Sequence, residues 1–150
     1  MTQNYNLTIR GAVDRETNLT VADLENIEHY KLPALDILSF SGRALETDIE
    51  FSGVRLRNVL EKAGIKSYDE KIRSRIFIEA VARDEFYAIF SFHEVFNSVN
   101  GDSILVVTKK NGRPIDGDSG PLQIVSASDL KTGSRYLKML ETIYVKITNQ

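Results

Sequence analysis

The segment Lys131-Thr132-Gly133-Ser134-Arg135 sets two cations, two hydroxyls and a glycine side by side. Glycine lets backbone N–H groups approach an anion, and a helix start beyond it favours negative charge. Lys138 falls one turn beyond Arg135 if the segment is helical. Anion binding is one expectation for this stretch, and a solvated turn is the other.

Other chemistries find fewer residues. The chain has no cysteine and two histidines, His29 and His93. His93-Glu94 does not extend into the pattern that puts two imidazoles on one helix face. A zinc site is therefore not expected, and both histidines read as exposed helix residues. Asp102, Asp116 and Asp118 lack the spacing of a calcium loop and read as polar turns. Ser119, beside Asp118 and Gly120, has no histidine nearby to act as its base.

The elements that must position these residues are short. Tyr5, Leu7 and Ile9 alternate with polar residues and predict a strand ending at Gly11. Thr20 to Asp23 is a capping-box variant with Leu19 and Leu24 as its staple, predicting a helix from Val21 to about His29. Leu35 to Phe40 reads as a strand ending at Ser41-Gly42-Arg43. Leu56, Val59, Leu60 and Ala63 have helical spacing, and Gly64 is a natural C-terminal cap. Strands are predicted at Ile76–Val81, buried on both faces, and at Phe86–Phe90, Ile104–Val107, Leu122–Val125 and Ile143–Ile147. Ser91 to Glu94 is a second capping box, Lys109 to Gly112 a hairpin turn, and Asp116 to Pro121 a loop. The class is α+β, mixed and strand-rich, with a largely antiparallel or mixed sheet.

At 150 residues, with 42% hydrophobic and 27% charged residues, the chain fits a single globular domain spanning 1–150. A net charge of −2 without a basic field argues against a nucleic-acid partner. No apolar run reaches bilayer length, and the polar first residues show no signal peptide.

Six segments, in order, resemble the molybdopterin-binding domain of sulfite-oxidase-type oxidoreductases. They are Leu7 to Val13, Leu19 to Leu24, Phe51 to Leu60, Asn111-Gly112-Arg113-Pro114-Ile115, Gly120-Pro121-Leu122 and Gly133 to Leu140. The resemblance implies that fold and molybdopterin as the cofactor. It also implies departures. The family ligates molybdenum through the cysteine of Leu-x-Cys-x-Gly, and here Leu38-Ser39-Phe40-Ser41-Gly42 puts Phe40 at that place. A phenyl ring donates no electron pair to a metal, and the neighbouring serines are poor substitutes for a soft thiolate. The family's His-Gly-x-Pro-x-Arg reads Asp118-Ser119-Gly120-Pro121-Leu122-Gln123, and its Asp-Gly-Tyr reads Asp84-Glu85-Phe86-Tyr87. Both an imidazole and a cation are thereby lost, which weakens a site for anions. Arg135 and Lys138 stand where the family has lysines near the cofactor.

By resemblance, then, the pocket positions are Ser39, Phe40, Ser41, Arg43, Asp84, Tyr87, Asp118, Ser119, Gln123, Arg135 and Lys138. The expectation is a degenerate member that binds a small anionic or pterin-like ligand without redox metal chemistry. A protein-interaction or sensory scaffold is the alternative, and an active molybdenum oxidoreductase with a non-cysteine ligand the less favoured one. No catalytic residue is assigned. A concave site lined by Arg43, Arg135 and Lys138 would mark an anion binder; a pocket plugged by Phe40 would mark a scaffold. The resemblance also hints at export to the periplasm.

Overall fold

Period-2 burial on the central strands divides the core of this fold in two. The computed structural model describes residues 6–65 and 69–149. Twelve strands alternate with four short α-helices: β1 (Leu7–Gly11), β2 (Thr17–Leu19), α1 (Val21–Glu25), β3 (Tyr30–Lys31), β4 (Leu35–Leu38), β5 (Ala44–Ile49), β6 (Phe51–Arg55), α2 (Leu56–Ala63), α3 (Glu70–Arg73), β7 (Ile76–Ala82), β8 (Tyr87–Ser91), α4 (Phe92–Phe96), β9 (Ile104–Lys110), β10 (Arg113–Pro114), β11 (Gln123–Ser126) and β12 (Leu140–Ile147). Three 3₁₀ turns, Val99–Ser103, Gly117–Ser119 and Thr132–Arg135, join them.

The first sheet has the order β2-β1-β12-β7-β8. Its β1–β12 pair is parallel and its other pairs are antiparallel. The second runs β10-β9-β6-β3, with β11 also on β9, and β4–β5 forms a separate hairpin. A mixed, strand-rich architecture is therefore what the chain adopts.

Strand β9 shows why two cores exist. Ile104 and Val106 face the larger core, with Leu7, Ile9, Leu56, Leu60, Ile78, Phe90 and Ile143. Leu105 and Val107, one residue out of phase, face a smaller core with Leu32, Ile37, Ile49 and Phe51. The second sheet is thus covered on both faces, by the first sheet's core on one side and the β4–β5 hairpin on the other.

Local signals place most elements. Thr20 and Asp23 close a reciprocal capping box on α1. Gly64 ends α2 at φ 77°, a conformation an L side chain resists. Asn111 (φ 54°) and Gly112 (φ 78°) turn β9 into β10. Three expectations need correction. The helix at Val21 stops at Glu25 rather than near His29, because Tyr30 and Lys31 leave to pair with Gly53 and Ser52. His29 is consequently off the helix, with Nε2 3.0 Å from Thr108 Oγ1 and Nδ1 3.0 Å from Ile27 O. Lys138 does not continue a helix from Arg135, since the 3₁₀ turn ends there and Leu137 exchanges two backbone hydrogen bonds with Ile124. His93 does lie exposed on α4. Tyr5 lies outside the described residues.

Candidate functional site

The β4–β5 hairpin is pinned to the Thr132–Arg135 turn by one side chain. Thr132, 6% exposed, donates its hydroxyl to Asp36 O (2.8 Å) and accepts the Leu38 N–H (2.9 Å). Gly133 then passes so close that a Cβ there would lie 2.7 Å from Leu38 O. Between the hairpin, this turn and the β7–β8 connection opens a cleft of about 640 Å³, within the usual range for small-molecule sites. Its walls are Ile37, Leu45, Phe86, Tyr136 and Leu137, and its polar lining is Glu46, Asp84, Ser134 and Lys138.

The floor is internally satisfied. The Tyr136 hydroxyl donates to Gln123 Oε1 (2.5 Å), and Gln123 Nε2 donates to Ser119 O (3.1 Å). Burial, then the Glu46 charge, pushes the Tyr136 phenol well above its ordinary value, so it stays protonated. Glu46 is held by Lys110, and Lys138 Nζ lies 4.0 Å from its other oxygen. Both ammonium groups sit about 6 Å from the Tyr136 ring centre.

Arg135 is not part of this lining. Nε and one terminal nitrogen hold Asp129 (2.9 and 2.6 Å), the two terminal nitrogens hold Glu94 (3.0 and 2.8 Å), and Nη1 also donates to Ile89 O (2.9 Å). A guanidinium has five N–H donors, and all five are used. Its plane lies over Phe90, with the guanidinium carbon 4.4 Å from the ring centre. The two carboxylates, through direct hydrogen bonds, push its pKa above an already high value. Arg135 is a bolt joining β8, α4 and the Asp129 turn. Glu94, expected to complete a capping box, serves this bolt instead, while Ser91 caps α4 alone.

The other pocket positions fall as follows. Ser39, Phe40, Ser41 and Arg43 form the hairpin tip. The Ser39 hydroxyl accepts the Arg43 N–H (3.1 Å) and pairs with that of Ser41 (2.9 Å), and Phe40 projects outward at 83% exposure. Phe40 therefore plugs nothing. Tyr87 is exposed on β8, and Asp118 is exposed in the Gly117–Ser119 turn, where Arg83 donates to Asp118 O (3.4 Å) and, just past the turn, to Gly120 O (3.0 Å). Gln123 is fully buried and works as a strut. Ser119 contributes its carbonyl to Gln123 and to the Met139 N–H. Of the eleven positions, the cleft takes Asp84 and Lys138 into its lining. Leu45, Glu46, Phe86 and Tyr136 were not among the expected pocket positions. Phe86 and Tyr136 lie within segments that carry the family resemblance, Asp84–Tyr87 and Gly133–Leu140, whereas no local pattern marks Leu45 or Glu46. Among the described residues, no group of three or more histidine, cysteine or acidic side chains is placed to hold a metal ion.

A family model described as oxidoreductase molybdopterin binding domain matches residues 1–150. The chain belongs to this molybdopterin-binding domain family. Comparison with curated proteins finds no match. Among solved structures, the sulfane dehydrogenase SoxCD from Paracoccus pantotrophus is similar, with a TM-score of 0.74 at 17% identity. The likeness covers 99% of this chain and 40% of the SoxCD chain, so this domain spans well under half of that chain's length. At such identity the likeness concerns fold. Among the described residues, no helix of this family member is long and apolar enough to cross a membrane.

Proposed function

We propose that this member of the molybdopterin-binding domain family binds a small ligand in the cleft and performs no molybdenum redox chemistry on it. The observation that carries the reading is the commitment of Arg135, whose five donors are consumed by Asp129, Glu94 and Ile89 O. The donor set fits a phosphate-bearing, metal-ligated pterin poorly. Where the family has its thiolate, Phe40 offers no lone pair and faces solvent. The cation best placed by sequence for an anion is saturated. Lys138 alone enters the lining, opposite Glu46.

The test is metal and pterin content. The protein is expressed in a host that makes molybdenum cofactor, purified gently and assayed for molybdenum, tungsten and oxidised fluorescent pterin. The expected result is no stoichiometric metal. Stoichiometric metal with pterin would make this an enzyme with an unusual ligand and end the proposal.

One observation favours a second reading, an interaction module. Phe40, Leu45, Phe86, Tyr87, Ile89 and Leu130 stand 49–88% exposed on the hairpin, on and just before β8, and just before the 132–135 turn. Hydrogen bonds through Thr132 and Arg135 hold these three segments together. Concentration-dependent association removed by Leu130→Asp, with no ligand bound in the cleft, would support this reading over the first.

A further inference from the structure

We infer that the cleft takes a small molecule without net charge, with an apolar body and an N–H edge, and that it excludes phosphate-bearing compounds. The inference rests on the ligand-binding reading above and names the class of ligand. It follows from which polar groups around the cleft are still free.

The cations are paired in charge, although the Lys138 ammonium is too far from Glu46 to hydrogen-bond to it. Lys110 pairs with Glu46 and Lys138 lies 4.0 Å from the same carboxylate, with the Tyr136 ring face near both. Arg135 is saturated and lies outside the lining. The donors that usually cradle an anion are also spent. The Ser134 and Tyr136 N–H groups close the turn onto Lys131 O and Gly133 O, and the Tyr136 hydroxyl and Gln123 amide bond inward. A phosphate entering here would meet two carboxylates, Glu46 and Asp84, against one ammonium, Lys138, and the Ser134 hydroxyl, with no guanidinium fork to hold it.

What remains free is mainly an acceptor. Asp84 lines the cleft and takes the Phe86 N–H at 3.3 Å through one oxygen; among the described residues nothing else bonds its carboxylate. The lining carries one ammonium, Lys138, against two carboxylates, Glu46 and Asp84, and Lys110 outside it is paired to Glu46, so an anion gains no net attraction. The walls, Ile37, Leu45, Phe86 and Leu137, present apolar surface to a ring or hydrocarbon body. A neutral ring with an amine or amide edge satisfies both features: its faces cover the walls and its N–H groups meet Asp84.

The experiment uses the metal-free 150-residue chain and two probes. One is unphosphorylated pterin, a neutral fluorescent ring with an amino edge, and the other is inorganic phosphate. Binding is read by fluorescence anisotropy and equilibrium dialysis, with phosphate tested as a competitor. Pterin is expected to bind, phosphate is expected neither to bind nor to compete at millimolar concentration, and Asp84→Asn is expected to weaken pterin binding about tenfold, the scale of one hydrogen bond to a charge. Asp84 is exposed, so the variant should fold, which a melting curve checks. Leu45→Glu in the apolar lining should abolish pterin binding. Phosphate binding that is lost in Lys138→Gln overturns the inference, as does a failure of pterin to bind. Either result is separate from stoichiometric molybdenum in the cofactor-producing host, which ends the underlying reading.

Discussion

Arg135→Met separates a structural bolt from an anion ligand. The side chains of Arg135, Glu94 and Asp129 are 23%, 24% and 18% exposed. Removing one partner from a buried charge pair costs about 3–5 kcal/mol, because the abandoned charge stays desolvated. Here two carboxylates are abandoned, but each keeps some access to water, which points to the lower end, about 3 kcal/mol. For a domain of this size, each kcal/mol shifts Tm by roughly 2–4 °C, so the variant should melt about 6–12 °C lower. Urea unfolding at neutral pH should give the same loss in free energy. Arg135→Lys should recover only part of the loss, because an ammonium cannot hold two carboxylates in bidentate fashion. Adding Glu94→Gln to Arg135→Met should restore roughly 1 kcal/mol by removing one uncompensated charge. If Arg135→Met unfolds within about 0.5 kcal/mol of the parent, while millimolar phosphate stabilises the parent but not the variant, Arg135 is an anion ligand and the reasoning fails.

Four further outcomes follow from the same contacts. Thr132→Val removes the hydroxyl that serves Asp36 O and Leu38 N, so it should cost about 2–4 kcal/mol in urea unfolding and weaken any cleft ligand by loosening the hairpin wall. Tyr136→Phe leaves the buried Gln123 Oε1 without its donor and should cost about 1–3 kcal/mol at neutral pH. Because the folded phenol's pKa is raised, the parent's contribution from this group is complete below the unfolded value near 10 and declines as pH rises beyond it; Tyr136→Phe should lose that alkaline decline in unfolding curves. Asp102 titrates below its ordinary 3.8, first through the hydrogen bond from Arg57, so its contribution is present above about pH 4 and fades as pH falls through the depressed folded value; Asp102→Asn should flatten that acid limb in unfolding curves. Phe40→Cys restores a thiol at the hairpin tip, and metal analysis after expression with the cofactor should still find no stoichiometric molybdenum, since Arg135 remains committed elsewhere.

Much of this fold is written in short-range signals. The capping box at Thr20, the cap at Gly64, the turn at Asn111-Gly112 and the alternation of β9 each act over a few residues, so their physics is complete within the local sequence. The chain's lack of a thiol, and of a lone-pair donor at Phe40, is likewise a property of sequence. Where side chains spend their hydrogen bonds is not. Arg135 looked like a free cation because Glu94, its partner, lies 41 residues earlier, and the local pattern assigned Glu94 to a helix cap. The early end of the first helix depended on Tyr30 and Lys31 finding Gly53 and Ser52. The cleft likewise joins Leu45 and Glu46 on β5, Phe86 before β8 and Tyr136 after the 3₁₀ turn, which share no sequence pattern. Charge satisfaction and concavity are sums over neighbours in space, so only the tertiary structure decided which of the expected site residues line a cavity and which hold the molecule together.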